Sequence, residues 1–257
     1  MFEILCAADS SAGQVPQNHF GVLHLLSEVG SPDQKRRWFG DVLAGRRIGN
    51  AGPEKGRKII THNRTGLHRT EAGLRLTGRR FYSTAAIFAH WIPTRANDEQ
   101  GRPVQVWVPR DAPGVKVLDD WDSFGQRTTA SGTVVFQDVA VQDDQTIPLW
   151  QRADIPSPSG PTSQLIQAAI DSGIAIAALV DAVDYVRDKA RPWMDSGLDR
   201  ASDDPYVIAD VGRLQIDLRA AREVLHRAAE LVDEIASRPV TAEDSARPRS
   251  PSRKPRS

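Results

Sequence analysis

Residues 125–141 read Gly-Gln-Arg-Thr-Thr-Ala-Ser-Gly-Thr-Val-Val-Phe-Gln-Asp-Val-Ala-Val. The second half, Thr133 to Val141, places Val134, Phe136, Val139 and Val141 on an alternating apolar pattern with one irregularity near Asp138, which predicts a half-buried strand. The first half, Gln126 to Gly132, carries an amide, a guanidinium and three hydroxyls, with backbone amides beside two glycines. Such a loop can hold a phosphate or a bound substrate. It can equally be a structural turn into the strand.

The same signature continues upstream. Leu74 to Leu76, Val104 to Val108 and Val115 to Leu118 alternate, and Gly66, Gly73, Gly78, Gly101, Pro113-Gly114, Gly125 and Gly132 punctuate them. Residues 47–150 therefore read as a small β-sandwich or barrel. Residues 1–46 read as helical. Val15, Phe20, Val22, Leu23, Leu26 and Val29 share a face over Gln14–Val29, and Ser31, Pro32 and Asp33 open a second helix. Its apolar stripe is Trp38, Phe39, Val42 and Leu43, with Gly45 as the stop. Residues 155–161 form a Pro/Ser/Gly linker, and residues 161–236 return to long helical patterns of bundle type. Residues 237–257, rich in arginine and proline, are expected to be a disordered basic tail.

Composition narrows the classes. The chain has 257 residues, 40% apolar and 26% charged, with 33 basic and 33 acidic side chains. A net charge of zero favours neither nucleic acid nor a membrane as partner. No uninterrupted apolar run reaches bilayer length; Ile174–Val183 is the longest candidate. The single cysteine, Cys6, lies in an apolar run and reads as a small buried hydrophobe in a cytoplasmic protein. His24, His62, His68, His90 and His226 show no ligand spacing, so no metal is expected.

The order helices, small β domain, helices resembles the acyl-CoA dehydrogenase superfamily. The motifs that carry the resemblance are Gly49-Asn50-Ala51, Phe81-Tyr82-Ser83-Thr84, Asp119-Asp120-Trp121, Gly125 to Gly132 and Ala190-Arg191-Pro192-Trp193. Within the superfamily they are similar to the flavin monooxygenases of sulfur acquisition, the dibenzothiophene monooxygenase type. The expected fold class is α+β, with N-terminal helices, a central small β-sandwich or barrel and an incomplete C-terminal helical bundle. Family members have further helices at both ends, so the resemblance implies a truncated chain. Asn50-Ala51-Gly52-Pro53-Glu54 also reverses the family's Glu-Pro order.

The resemblance implies FMN or FAD as cofactor, with reduced FMN favoured. Dioxygen and a small organosulfur compound are the implied substrates, a flavin C4a-hydroperoxide is the oxygen donor, and a flavin reductase supplies the reduced flavin. Tetramers are the family norm. Ser83 matches the position whose hydroxyl faces flavin N5. On strand alternation Tyr82 points the other way, toward the core. His19 and Asn50 join Ser83 as catalytic candidates. Asn50, Tyr82, Ser83, Thr84, Gln126, Arg127, Thr128, Ser131 and Arg191 are the cofactor-binding candidates. The alternatives are an acyl-CoA dehydrogenase, which needs a carboxylate base that no residue here supplies by position, and an inactive fragment.

Overall fold

The computed structural model describes residues 1–56, 64–152, 155–241 and 244. His62 and most of the basic tail lie outside them. The chain divides into two compact units. One contains residues 18–122, 130–161 and 232–257; the other contains residues 1–17, 123–129 and 162–231.

The first unit is built on seven strands: β1 (Gly66–Thr70), β2 (Gly73–Arg80), β3 (Trp91–Asn97), β4 (Pro103–Pro109), β5 (Val115–Leu118), β6 (Thr133–Val141) and β7 (Thr146–Pro148). Their order is β5-β6-β2-β1-β3-β4-β7. All pairs are antiparallel except β1–β3, which meet through the single parallel pair Gly66↔Asn97. That one bridge joins two antiparallel halves. Leu67, Leu76, Val134, Phe136 and Val139 from one half share a core with Ile92, Ala96, Val104, Val106 and Val108 from the other. The expected small sandwich is therefore present. The irregularity read near Asp138 is a bulge: Leu76 pairs with Val139 but Gly78 with Phe136, and Asp138 adopts φ 51°.

β4 is buried on both faces. Val104, Val106 and Val108 face the sandwich core, while Trp107 turns to a second cluster with Leu26, Trp38, Ile48 and Ile147. The C-terminal half of α2 (Ser10–Val29) and α3 (Pro32–Leu43) supply the helical side of that cluster. Trp38 and Trp107 stack at 4.1 Å. α3 starts as its sequence signals: Ser31 accepts from Gln34 N, and the Gln34 side chain accepts from Ser31 N in return. Gln34 Nε2 also donates to the carbonyls of Asp144 and Thr146. Leu43 departs from the expected stripe and is 89% exposed. It lies one residue past Val42, about 100° further round the helix, so it faces water.

In the second unit, α1 (Phe2–Ala8) and the start of α2 accompany α4 (Ser159–Asp188) and α5 (Pro205–Ala236). α2 begins at Ser10, earlier than the apolar spacing predicts, because the Asp9 carboxylate accepts from the amides of Ser11 and Ala12. Cys6 is buried, and Gly173 lets α1 lie directly against α4: a Cβ there would meet the Glu3 carbonyl and approach Cys6 Cβ at 2.9 Å. Glu3 ties the helices together, accepting from Ser172 Oγ at 2.7 Å and Arg222 Nε at 2.8 Å.

Hydrogen bonding from Arg222, opposed by burial and aided by Ser172, lowers the Glu3 pKa from 4.5 to about 2. The stabilisation is complete above pH 4.5 and is lost as pH falls toward 2. We expect Glu3→Gln to cost about 2 kcal/mol at pH 7, discounted because Arg222 is partly in water, and to flatten the acid limb of a urea-melt series. An unchanged acid limb would contradict this.

α4 corrects one sequence expectation. Counting the small residues that interrupt its apolar runs, it is long and apolar enough by length and composition to cross a membrane. The expectation fell short because it counted only the stretch Ile174–Val183, which Asp181 interrupts. Along α4 only Ile170 and Gly173 are buried, and no residue of α5 is. Val180, Tyr185, Ile208, Leu214, Ile216 and Val224 stand exposed, which leaves apolar faces of both helices partly uncovered.

Candidate functional site

Residues 48–54 run beside β3 without forming a full strand. Ile48 bridges to Trp91 and Ala51 to Thr94, and Thr94 Oγ1 donates to the Ala51 carbonyl at 2.8 Å. Gly49 is required by proximity: a Cβ there would lie 2.9 Å from Ala86 Cα. Asn50 follows, half-buried, with its side-chain amide unbonded among the described residues. His19, on α2, anchors the start of this segment through Nδ1, which accepts from Ile48 N at 3.3 Å. Burial lowers the His19 pKa and favours the neutral ring, and acceptance at Nδ1 assigns the proton to Nε2.

A buried ion pair ties this loop to the end of β2. Arg80 is fully buried; its Nη1 donates to the Gly52 carbonyl at 2.7 Å and lies 3.2 Å from Glu54 Oε1. Glu54 also accepts from Thr65 N at 2.9 Å and Thr65 Oγ1 at 2.7 Å. Burial pushes the Glu54 carboxyl up, but the bonds from Arg64 and Thr65 and the Arg80 charge outweigh it and hold the pKa below its usual value. Phe81 N then donates to the Pro53 carbonyl. Sequence reasoning noticed the reversed Pro-Glu order and missed the arginine. The available signal was an arginine closing a strand whose chain leads straight into the candidate motif.

The motif Phe81 to Thr84 is not strand. β2 ends at Arg80, and Tyr82 (φ 52°) and Ala85 (φ 59°) are left-handed. Alternation therefore does not decide where these side chains point. Tyr82 is 53% exposed rather than in the core, edge-on to Trp121 at 6.2 Å, with Lys55 Nζ 5.4 Å from its ring. Ser83 is 1% exposed, its amide donates to the Gly132 carbonyl at 2.9 Å, and its hydroxyl has no partner among the described residues. An unsatisfied buried hydroxyl costs about 1–3 kcal/mol. Thr84 Oγ1 and Ser131 Oγ, both predicted to touch the cofactor, bond each other at 2.9 Å.

The string 125–132 divides between the units at Thr129. Ser131 and Gly132 belong with Ser83. Gln126, Arg127 and Thr128 belong to the helical unit, where Gln126 Nε2 donates to the Ser10 carbonyl at 3.2 Å and to Gln14 Oε1 at 3.3 Å. Arg127 and Thr128 are exposed on a single 3-10 turn. Arg191, exposed after α4, lines a hollow of about 380 Å³ with Pro192, Trp193, Met194 and Val207.

Comparison with known proteins agrees with this architecture. Residues 165–251 match the family described as acyl-CoA dehydrogenase, C-terminal domain. Over that segment the chain is similar to acyl-CoA dehydrogenases. The chain is also similar to curated dibenzothiophene monooxygenases. It is 30% identical over 241 residues to a dibenzothiophene monooxygenase of Mycolicibacterium goodii, covering 89% of this chain and 58% of that protein. It is 27% identical over 233 residues to a probable FMNH2-dependent monooxygenase, SfnC, of Pseudomonas putida, covering 88% and 57%. The crystal structure of FMN-bound TdsC from Paenibacillus sp. A11-2 superposes with a TM-score of 0.81 at 31% identity, covering 95% of this chain and 64% of that one. The chain thus spans somewhat over half the length of the curated relatives it matches.

Proposed function

We propose that this chain is the flavin-holding portion of a reduced-flavin-dependent monooxygenase that transfers one oxygen atom from dioxygen to a small organosulfur compound. The observation that carries the reading is the Ser83 hydroxyl, buried and without a partner in a strained turn. It lies in the segment whose resemblance implies contact with flavin N5. A related protein binds FMN and another is called FMNH2-dependent, which supports FMN or FAD as the cofactor, with reduced FMN favoured.

Reduced flavin, when bound, supplies the electron pair that takes one atom of dioxygen to water and leaves the other for the substrate. The chain's own residues do the rest. Ser83 would hold the proton at N5, and the Asn50 amide offers a donor and an acceptor on the neighbouring loop. Tyr82 and Trp121 present an aromatic surface beside them. In this reading the protein is cytoplasmic, a separate reductase supplies the reduced flavin, and the uncovered apolar faces of α4 and α5 support a homo-oligomer. The dehydrogenase alternative has less support, since the curated relatives compared above are named as monooxygenases.

The test is isotopic. With a flavin reductase, FMN, an aryl thioether and ¹⁸O-labelled dioxygen, we expect a sulfoxide carrying one labelled atom. Unchanged thioether, with all consumed oxygen recovered as hydrogen peroxide, would sink the proposal.

A further inference from the structure

We infer that Asp120 is the positioning residue for the Ser83 hydroxyl, acting through the peptide group between Gly132 and Thr133; its role in catalysis rests on the monooxygenase reading. The Asp120 carboxylate uses both oxygens on one residue. Oδ1 accepts from Thr133 N at 2.7 Å, and Oδ2 accepts from Thr133 Oγ1 at 2.7 Å. The Thr133 N–H shares a planar trans peptide with the Gly132 carbonyl, since no peptide bond among the described residues is cis. That carbonyl accepts the Ser83 amide at 2.9 Å. Fixing one edge of the plane therefore fixes the other, and with it the backbone that carries the unpartnered hydroxyl.

The packing leaves the peptide no slack. A Cβ at Gly132 would run into the Leu118 carbonyl and sit 2.8 Å from Asp120 Oδ1. Two further contacts restrain the same turn. Thr84 Oγ1 is bonded to Ser131 Oγ, and Trp121, the neighbour of Asp120, packs edge-on to Tyr82. Asp120 and Trp121 thus hold the turn from both sides of Ser83. Both bonds need a polar side chain of this reach: an asparagine could still accept from Thr133 N through Oδ1 and donate to Thr133 Oγ1 through Nδ2, whereas an alanine removes both.

The test compares the full chain with Asp120→Ala, which removes both bonds, and with Thr133→Ser, which keeps them. The first readout is amide hydrogen exchange at Ser83 without flavin. We expect Asp120→Ala to raise exchange at Ser83 at least 10-fold while the strands of the sheet stay protected, and Thr133→Ser to match the parent. The second readout is the fraction of consumed oxygen that reaches product, which should fall in Asp120→Ala toward the Ser83→Ala level with the substrate KM unchanged.

Unaltered Ser83 exchange in Asp120→Ala would overturn the inference. So would loss of protection spread evenly over the sheet, or full coupling despite a loosened Ser83. If the parent chain takes up no flavin, the functional reading fails, and the exchange comparison still decides whether Asp120 positions Ser83.

Discussion

Arg80→Met will lower stability by about 3–5 kcal/mol, because it removes a fully buried cation that pairs with Glu54 and holds the Gly52 carbonyl. The loss should appear in urea melts as a lower midpoint with an unchanged slope. It should also loosen Gly52 and Pro53, since Arg80 holds the Gly52 carbonyl and the adjoining Phe81 amide holds that of Pro53. The double variant Arg80→Met with Glu54→Gln should recover part of the loss, because the buried carboxylate that Arg80 paired is neutralised. pH supplies a second check. The folded-state pKa of Glu54 lies below 4.5, so its contribution is present above that pH and disappears as pH falls through the depressed value. A single variant as stable as the parent would show that the pair is not what ties the loop to β2.

Ser83→Ala carries the opposite signature. It removes a buried hydroxyl that the flavin-free chain leaves unpaired, so that chain should keep its stability or gain slightly. The yield of oxygenated product per oxygen consumed should nevertheless fall by about 100-fold, the scale seen when a single active-site donor is deleted. Stability and function would then move apart at one atom, which a residue that only supports the fold cannot do. A large drop in melting temperature in Ser83→Ala would place the hydroxyl in the structure rather than in the chemistry.

Local chemistry made part of this fold legible. The Ser31 start of α3 and the bulge at Asp138 follow from capping and alternation within a few residues. β3 was not legible, because Ile92, Thr94 and Ala96 face inward between a proline and an arginine, and that run shows no clear apolar alternation. The turn at Tyr82 was missed for a related reason: nothing in Arg-Phe-Tyr-Ser-Thr announces a left-handed residue where glycine or asparagine would. Ser83 was nonetheless singled out, on resemblance rather than pattern. Asp120 was noticed as part of a motif, but its use became visible only once Thr133 and Gly132 were placed against it. Arg80 and Glu54 lie far apart in sequence, and no local rule pairs them.

The central claim is that this chain holds a flavin at Ser83. The direct measurement is a titration of the purified chain with FMN and with FAD, followed by flavin fluorescence and absorbance. The account predicts saturable binding, weakened about 10-fold or more by Ser83→Ala. A folded chain that binds neither flavin, or one that binds equally well without the Ser83 hydroxyl, would contradict it.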